Sequence, residues 1–386
     1  MLRTARTALT AAFVVAVSLV PLRARAQAAV YPVGSGRPTA AEARKEMGIP
    51  STDEVRGQID NIGYASKPEA MAKVWSLAAM PPAPLSLGNL PAPGVVGLIG
   101  PHDDYVYAAR VDRRIYPLVT AKTVIVVGVF HRYRRLGAHD QMIFDGYKRW
   151  RSPDGDITVS ALRDELVAAL PKDEAVKDSV AHDSEHSIEA IAYFLKHARP
   201  DVEIVPILIP AASFPRLTSM AAHLGGALAA AMKKHKLVLG RDVAVVISTD
   251  GTHYGDDFKY VPFGEGGLAA FGKAMAQDRK LVEDTLAGAL SLDKAKQFFA
   301  AVVNPDKPDD YRMPWCGRFS VPFGLMFLAD VAQKLGMPAP RGLPLVLGVS
   351  VDTPQLKVGE GVGPTAPANL YHFVTQPGVA FVTGRP

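Results

Sequence analysis

The sequence predicts an α/β fold in which a mostly parallel central sheet is flanked by helices. From about residue 92 onward, short runs rich in valine and isoleucine alternate with amphipathic stretches of helical length. Strands that are apolar along their whole length are typical of parallel sheets, because both faces of such sheets are covered. The alternation therefore indicates one α/β domain, which we place at residues 92–386.

Six strands and seven helices of this domain are placed by their periodicity. The strands are expected at residues 95–99, 123–129, 203–209, 242–248, 345–351 and 379–383. The helices are expected at residues 106–119, 156–170, 185–197, 217–234, 268–290, 292–302 and 321–335. Ligands bind beyond the carboxyl ends of the strands in open α/β sheets, so the residues that follow each strand are the first candidates for a site.

The start of the chain has the features of an export signal. Two arginines precede an apolar run at residues 8–22, and an Ala-Arg-Ala sequence follows at 24–26. This order is typical of a secretory signal peptide, so we expect residues 1–26 to be cleaved and the mature protein to be periplasmic or extracellular. The alternative is an uncleaved membrane anchor, but the run is shorter than the ~20 residues of a spanning helix and contains Pro21.

A leader segment at residues 27–91 connects the signal to the α/β domain. Helices are expected near residues 40–47 and 68–79, and a proline-rich sequence follows at 81–84. Proline cannot continue a helix, so the leader is interpreted as a helical extension that ends in a linker.

Composition excludes several classes of partner and bond. The net charge of +5 is spread along the chain, whereas a nucleic-acid-binding protein would have a clustered basic face. No other apolar stretch reaches membrane length, so we expect no membrane contact after signal cleavage. Cys316 is the single cysteine and cannot form an internal disulfide. It must be a partner for another chain, a buried bystander, a reactive thiol or a metal ligand.

Three predicted strands end in turns that carry a histidine. His102 follows the first strand and His131 the second, while Asp250 and His253 follow the strand at 242–248. One histidine in a loop is usually solvated or paired with a neighbour. Because the carboxyl ends of parallel strands meet at one edge of the sheet, we expect these three to converge on one cleft.

A fourth candidate element surrounds Glu185 and His186. The structural alternative is that Asp183 or Ser184 nearby only caps a helix. If the helix begins at residue 185, Glu185 lies on the same inward face as Ile188, and His186 points elsewhere. An inward carboxylate is costly unless it is paired, capping or functional, so Glu185 and His186 are candidate catalytic residues.

A fifth element contains Cys316 itself. Ser320 is a suitable cap for the helix that follows, so Cys316 is expected near a helix start with Arg318 close by. Both features favour the thiolate, which binds metals or attacks electrophiles. The alternative is a buried, inert cysteine.

These elements together resemble the MEMO family, whose bacterial members are called AmmeMemoRadiSam system protein B. Each motif is weak alone, but the ordered set is specific and covers roughly residues 92–385. The motifs are Pro-His-Asp-Asp-Tyr at 101–105, Gly-Val-Phe-His at 128–131, Glu-His-Ser-Ile-Glu at 185–189, Ser-Thr-Asp-Gly-Thr-His-Tyr-Gly at 248–255 and Cys-Gly-Arg at 316–318.

The resemblance implies a sandwich fold shared with class III extradiol dioxygenases, which hold non-haem ferrous iron. It also implies a metal site of two histidines and one cysteine, and the matching residues are His102, His131 and Cys316. The family's neighbouring aspartate and histidine match Asp250 and His253.

The chain departs from the family pattern in three respects. One is that Val-Phe at 129–130 stands before the second histidine, where the family usually has Pro-Ser or Thr-Ser. Asp103 and Asp104 stand where the family usually has Ala-Gly, so they could add a ligand or change what enters the pocket. Most members are also intracellular, which makes the export signal unusual and leaves the protein partners of this chain unknown.

The expected function is that of an exported protein with a single metal ion and a redox or dioxygenase-like activity. Iron(II) is favoured, and copper or zinc are alternatives because a thiolate ligand softens the site. A catechol-like small molecule would bind at the metal, with His186 or His253 moving protons. The alternatives are a non-catalytic protein that binds a metal or a peptide in a vestigial pocket, and a zinc hydrolase.

Overall fold

The computed structural model describes residues 39–48, 51–79, 94–304, 306–352 and 354–384. The predicted signal peptide at 1–26 and the proline-rich sequence at 81–84 lie outside these residues. Across the described ranges, no helix combines the length and apolar character that a membrane crossing requires.

Thirteen strands in the described part of the chain form one mixed sheet. They are β1 (Val55–Arg56), β2 (Val95–Gly100), β3 (Thr123–Val129), β4 (Met142–Phe144), β5 (Arg149–Trp150), β6 (Ile157–Val159), β7 (Ala175–Lys177), β8 (Glu203–Ile209), β9 (Val243–Ser248), β10 (His253–Tyr254), β11 (Gly288–Ala289), β12 (Arg341–Val349) and β13 (Phe373–Val382). The main path runs β1-β5-β6-β8-β3-β9-β2-β13-β12-β11. Strands β8, β3, β9 and β2 are parallel to one another, and β13, β12 and β11 continue the sheet antiparallel.

Helices cover both faces of this sheet. The α-helices of the described residues are α1 (Ala40–Met47), α2 (Pro68–Leu77), α3 (Tyr105–Ile115), α4 (Leu162–Ala169), α5 (Ser179–Asp183), α6 (Glu189–Ala198), α7 (Phe214–His235), α8 (Gly267–Leu281), α9 (Leu292–Val302) and α10 (Ser320–Lys334). Gly324 of α10 lies against Ile247 on one face, and Gly128 lies against Ile188 next to α6 on the other. The predicted α/β class, with a central sheet between helices, is confirmed. The sheet is mixed, because the expected parallel strands form only its centre and antiparallel strands extend it.

The central strands explain why their sequences read as continuous apolar runs. Every residue of β2, β3 and β9 is buried, because helices cover both of their faces. Seven of the strands have only two or three residues, which is too short for any periodicity, and none of these seven was predicted as a strand.

Two predicted helix starts are wrong. The helix expected at 156–170 begins at Leu162, because Ile157–Val159 form β6 beside β8. The helix expected at 185–197 begins at Glu189, after a turn that follows α5. Both segments are apolar at helix-compatible spacing, so only the tertiary pairing distinguishes strand or turn from helix.

Three predicted elements nearer the C-terminus have different bounds. The helix expected at 268–290 ends as α8 at Leu281 and continues as one π turn, Val282–Leu286. The strand expected at 345–351 overlaps β12, and the one expected at 379–383 is only the end of β13. The paired strands β12 and β13 include a bulge near Pro344, which interrupts the alternation that sequence periodicity relies on.

A buried guanidinium joins the N-terminal part of the structure to the sheet edge. Arg56 of β1 is 1% exposed and stacks on the Trp150 ring at 4.1 Å. It forms an ion pair with the Glu189 carboxylate and donates to the carbonyls of His182 at 2.8 Å and Glu185 at 2.6 Å. The cation is therefore paired and hydrogen bonded, and it holds the turn between α5 and α6 in place.

Replacing this guanidinium tests its structural role. Arg56→Met leaves the Glu189 carboxylate buried without its partner, so we expect a loss of about 3–5 kcal/mol in the free energy of unfolding. The measurement is equilibrium urea unfolding followed by far-UV circular dichroism. Lys280→Met, which removes an exposed pair with Asp284, is the matched control and should leave the midpoint unchanged. Equal effects of the two variants would contradict the proposed clamp.

Candidate metal centre

Three adjacent parallel strands bring the predicted site residues together. His102 follows β2, His131 follows β3 and Asp250 follows β9, which lies between those two strands. The ring centres of His102 and His131 are 5.3 Å apart, and Asp250 Oδ1 accepts a hydrogen bond from the His102 backbone N–H at 2.9 Å. The convergence expected from the strand-end rule is thus observed.

A third histidine completes one possible ligand group. His186 lies in the turn before α6, and its ring centre is 5.8 Å from that of His102 and 5.3 Å from that of His131. One ring nitrogen from each of the three lies within 4.8 Å of the other two. His186, which the sequence predicts as a proton-transfer residue, therefore also lies within ligand reach.

A second group shares His102. Its Nε2 atom is 3.5 Å from Cys316 Sγ and 3.4 Å from Asp250 Oδ2. These are the two groups of three potential ligands among the described residues. The set inferred from the family resemblance, His102 with His131 and Cys316, is therefore divided between two overlapping groups.

The hydrogen bonds of His102 fix its tautomer. The Ser248 hydroxyl donates its only proton to the Ser187 carbonyl at 2.7 Å, so its oxygen must accept from His102 Nδ1–H, also at 2.7 Å. Burial lowers the pKa of His102 to about 3 despite the nearby Asp250 carboxylate, so the ring is neutral. Its Nε2 lone pair consequently faces Cys316 and Asp250, ready to bind a metal.

Glu185 does the same for His131. Its carboxylate accepts His131 Nδ1–H at 2.9 Å and the His131 backbone N–H at 2.6 Å. Burial raises the pKa of Glu185, but the charges of His131 and His186 and the surrounding N–H donors bring the pKa well below its usual value. The ionised carboxylate therefore orients the ring so that Nε2 of His131 points to the site, a common support for metal-bound histidines.

The expectation for Glu185 needs one correction, and Asp250 has a different way of supporting the site. Glu185 is buried as expected, but it lies in a turn rather than on a helix face, because α6 begins only at Glu189. Asp250 supports His102 through the backbone and lies beside its Nε2 atom, because the Nδ1 positions of the two histidines are taken by Ser248 and Glu185.

His253 lies on the wall of the site and belongs to neither ligand group. Its Nδ1–H donates to the carbonyls of Gly251 at 3.0 Å and Pro314 at 3.1 Å. Burial lowers the pKa of His253 although the Asp250 charge opposes the shift, so its Nε2 is an unprotonated acceptor at neutral pH.

Two cavities meet at the site. The smaller has a volume of about 160 Å³ and is lined by His102, His186 and His253. The larger has a volume of about 500 Å³ and is lined by Cys316. His131 lines both, so a metal bound between the groups would face each cavity.

The two acidic residues that depart from the family pattern shape the smaller cavity. Asp103 accepts a hydrogen bond from the Gln376 amide at 2.8 Å, and burial raises its pKa well above the usual value. Asp104 accepts from the Thr365 backbone N–H at 2.5 Å and so anchors the loop that forms one cavity wall. Neither belongs to a potential ligand group of the described residues.

Asp278 is a supporting residue that the sequence analysis missed. It is buried on α8 and accepts hydrogen bonds from the Thr252 backbone N–H at 3.1 Å, the Thr252 hydroxyl at 2.6 Å and Trp315 Nε1 at 3.0 Å. It also accepts from the Thr375 hydroxyl. It thereby ties the loop of Asp250 to the loop of Cys316. The only sequence signal is one aspartate on the buried face of a helix.

The expectation that the helix start and Arg318 hold Cys316 as a thiolate is wrong. The helix begins at Ser320, so Cys316 is outside its first turn, and Arg318 turns away to donate to the Tyr133 hydroxyl at 3.0 Å. Burial raises the pKa of the Cys316 thiol well above its usual value, and the Asp250 charge adds to the shift. A metal would have to displace the thiol proton.

Comparisons with known proteins agree with the arrangement of these motifs. A family model described as Memo-like protein matches residues 68–336. A MEMO1 family protein of Thermococcus onnurineus is 33% identical over 171 residues, which cover 42% of this chain and 54% of that protein. One of Archaeoglobus fulgidus is 29% identical over 161 residues, covering 42% and 56%, and one of Methanothermobacter thermautotrophicus is 29% identical over 178 residues, covering 44% and 60%. The matched region thus spans little more than half the length of these curated relatives.

Alkylation tests the state of Cys316. Because its pKa is raised, metal-stripped folded protein should react with iodoacetamide at pH 7.5 more slowly than the urea-unfolded chain, and its rate should keep rising above the pH range of an ordinary thiol. Mass spectrometry follows the reaction, and Cys316 is the only thiol in the chain. Fast reaction of the folded protein at pH 7.5 would show that a thiolate is present after all.

Proposed function

The chain belongs to the Memo-like protein family, and we propose that it is an exported, metal-dependent protein with a redox or dioxygenase-like activity at the strand-end site. One observation carries this proposal. His102 and His131 direct their Nε2 atoms to the same space, because Ser248 and Glu185 accept hydrogen bonds from their Nδ1–H groups. Two oriented imidazoles beside a cysteine and a carboxylate fit the donor requirements of a transition metal.

We assign a single metal ion to His102, His131 and Cys316. Two histidines with one anionic ligand and open positions suit iron(II), whereas the thiolate raises affinity for copper or zinc. Outside the cytoplasm, copper and zinc would compete for the same donors. Asp250 Oδ2, 3.4 Å from His102 Nε2, is placed to contribute a fourth donor or to hold a bound water.

The bound metal would supply Lewis-acid and redox chemistry to a small molecule such as a catechol. Two histidines of the chain would transfer protons or stabilise charge on the substrate. Burial opposes protonation of His186, but the carboxylates of Asp60 and Glu185 raise its pKa to about 9, so this 39% exposed ring carries a proton at neutral pH. His253 is neutral with a free Nε2. One ring therefore stabilises a substrate anion, and the other accepts a substrate proton.

The three-histidine group supports a second candidate, a zinc site held by His102, His131 and His186. Three histidines and an open position are a known zinc arrangement that activates water for hydrolysis. His186 would first have to lose the proton that Asp60 and Glu185 stabilise, which favours the cysteine set. A protein that binds metal or peptide without turnover is the remaining alternative, and the experiments below separate it from the enzyme.

Single substitutions distinguish the two ligand sets. His102→Ala, His131→Ala and Cys316→Ala should each remove most of the bound metal, while His186→Ala should retain it. The measurement is metal content per chain by inductively coupled plasma mass spectrometry, on protein purified from its own compartment. Thermal unfolding should change less than metal occupancy, because these turns contribute little to the core.

The control is His235→Ala, which removes an exposed histidine paired with Glu165. Full metal retention in two of the three proposed ligand variants would refute the assignment. Metal loss in His186→Ala with retention in Cys316→Ala would instead select the three-histidine site.

Asp250 and His253 have separable roles. Asp250→Asn should weaken metal binding by roughly ten- to a hundredfold, the usual penalty for a group that supports ligands. His253→Ala should retain the metal and abolish oxygen uptake with catechols, because it removes only the proton acceptor. Metal loss as complete as in His102→Ala would make His253 a ligand. Tight metal binding with no oxygen uptake by the unaltered protein would favour the non-catalytic alternative.

A further inference from the structure

The larger cavity contains a buried cation that, among the described residues, no carboxylate contacts directly. Arg318 lines this cavity, and the residue is only 4% exposed. Its Nη2 donates to the Tyr133 hydroxyl at 3.0 Å, whereas Nη1 is buried without a hydrogen-bond partner. Among the described residues, no carboxylate oxygen lies within 4 Å of this guanidinium. Because an unpaired buried charge is costly, the arrangement lacks one anionic group.

The acidic residues of the same cavity are already occupied. Asp309 accepts a hydrogen bond from the Tyr133 hydroxyl at 2.6 Å, and it lies 3.6 Å from Arg134 Nε. Asp310 lies 3.8 Å from the same guanidinium. Both aspartates are more than half exposed on the rim, where water screens their charges from the interior.

A second cation extends the positive field to the cavity mouth. Lys259 lines the cavity and is exposed, and within the described ranges no carboxylate oxygen lies within 4 Å of its ammonium group. Its backbone has a left-handed φ of 55°, a conformation that is uncommon for a lysine. In the described part of the chain, Arg318 and Lys259 are thus the two cations of this cavity that have no carboxylate in direct contact, so its walls carry an excess of positive charge.

The remaining walls are aromatic and suit a flat apolar group. The guanidinium of Arg318 lies 3.9 Å from the centre of the Tyr311 ring and 4.9 Å from that of Phe319. The other aromatic wall residues are Phe130, Tyr133, Phe258 and Tyr260. A volume of about 500 Å³ is typical of pockets for small organic molecules.

We propose that this cavity binds a small organic acid, whose carboxylate pairs with Arg318 while its apolar body lies between the aromatic walls and points toward His131 and Cys316. The Nη1 group of this buried guanidinium lacks a hydrogen-bond partner, and a planar carboxylate is a common partner for such a group. Binding of the carboxylate requires no metal. The inference rests on the proposed function only where it takes this acid to be the substrate of the metal centre.

Two probes of equal shape and different charge test the proposal. Benzoate and benzamide are titrated into the metal-stripped full chain by isothermal calorimetry. Benzoate should bind at least tenfold more tightly, because a charge-assisted hydrogen bond at a desolvated guanidinium is lost in the amide. Arg318→Gln should remove this preference, and far-UV circular dichroism verifies that the variant is folded.

A surface variant keeps the test decisive if Arg318→Gln does not fold. Lys259→Gln should weaken benzoate binding about two- to threefold through the lost field, leaving benzamide unaffected. Lys280→Gln, on the exposed side of α8, is the matched control and should change neither. If Arg318→Gln does not fold, two results together decide whether the proposal holds. They are the tighter binding of benzoate than of benzamide and the loss of part of that difference in Lys259→Gln.

Three results would overturn the proposal. They are equal affinity for the two probes, including no binding of either, unchanged benzoate affinity in folded Arg318→Gln, and competition by inorganic phosphate as strong as that by benzoate. The metal content of the ligand variants is measured separately. Failure of the carboxylate site therefore leaves the metal centre intact, and failure of the metal centre leaves carboxylate binding measurable.

Discussion

The buried Arg56 guanidinium is the constraint on which one half of the metal centre depends. It binds the Glu189 carboxylate and the Glu185 carbonyl, and so fixes the turn that carries Glu185 and His186. Glu189 also accepts the Asp60 backbone N–H at 3.0 Å, which brings the Asp60 carboxylate to 3.5 Å from His186. Arg56 of the short edge strand β1 thus acts on two histidines. Through Glu185 it sets the orientation of His131, and through Glu189 and Asp60 it favours the protonated form of His186. Its own burial is tolerable because every contact is an ion pair, a hydrogen bond or an aromatic face.

The other half of the centre depends on a buried carboxylate, Asp278. It joins the turn after β9 to the loop of Cys316 through hydroxyl, indole and backbone donors. His102 stands between the two halves, with its ring held by Ser248 and its backbone by Asp250. The two potential ligand groups are therefore positioned by different buried residues, Arg56 and Asp278, and they share the imidazole of His102. This division explains how one group can be nitrogen-rich and the other can offer sulfur and oxygen.

Strand order and motif order were enough to predict much of the site. Runs of valine and isoleucine identified β2, β3 and β9. The carboxyl ends of adjacent parallel strands must lie together, so His102, His131 and His253 were expected to converge, with Asp250 in the same turn as His253. Periodicity could not separate a turn from a helix start at Glu185, because both place the same apolar residues inward. It could not locate two-residue strands such as β1 either, since these form only by pairing with a partner distant in sequence.

The sequence by itself determined the fold class, the family and the identities of the residues at the strand ends, because local apolar patterns and ordered motifs are properties of the chain alone. Only the tertiary structure decided their chemical states. Burial raises the pKa of Cys316, and the carboxylates of Asp60 and Glu185 raise the pKa of His186 to about 9 against the effect of its burial. These effects act through space and cannot be read along the sequence. The same is true of Arg318, whose sequence neighbours indicated a role beside Cys316. Its packing directs it instead to Tyr133 and the larger cavity.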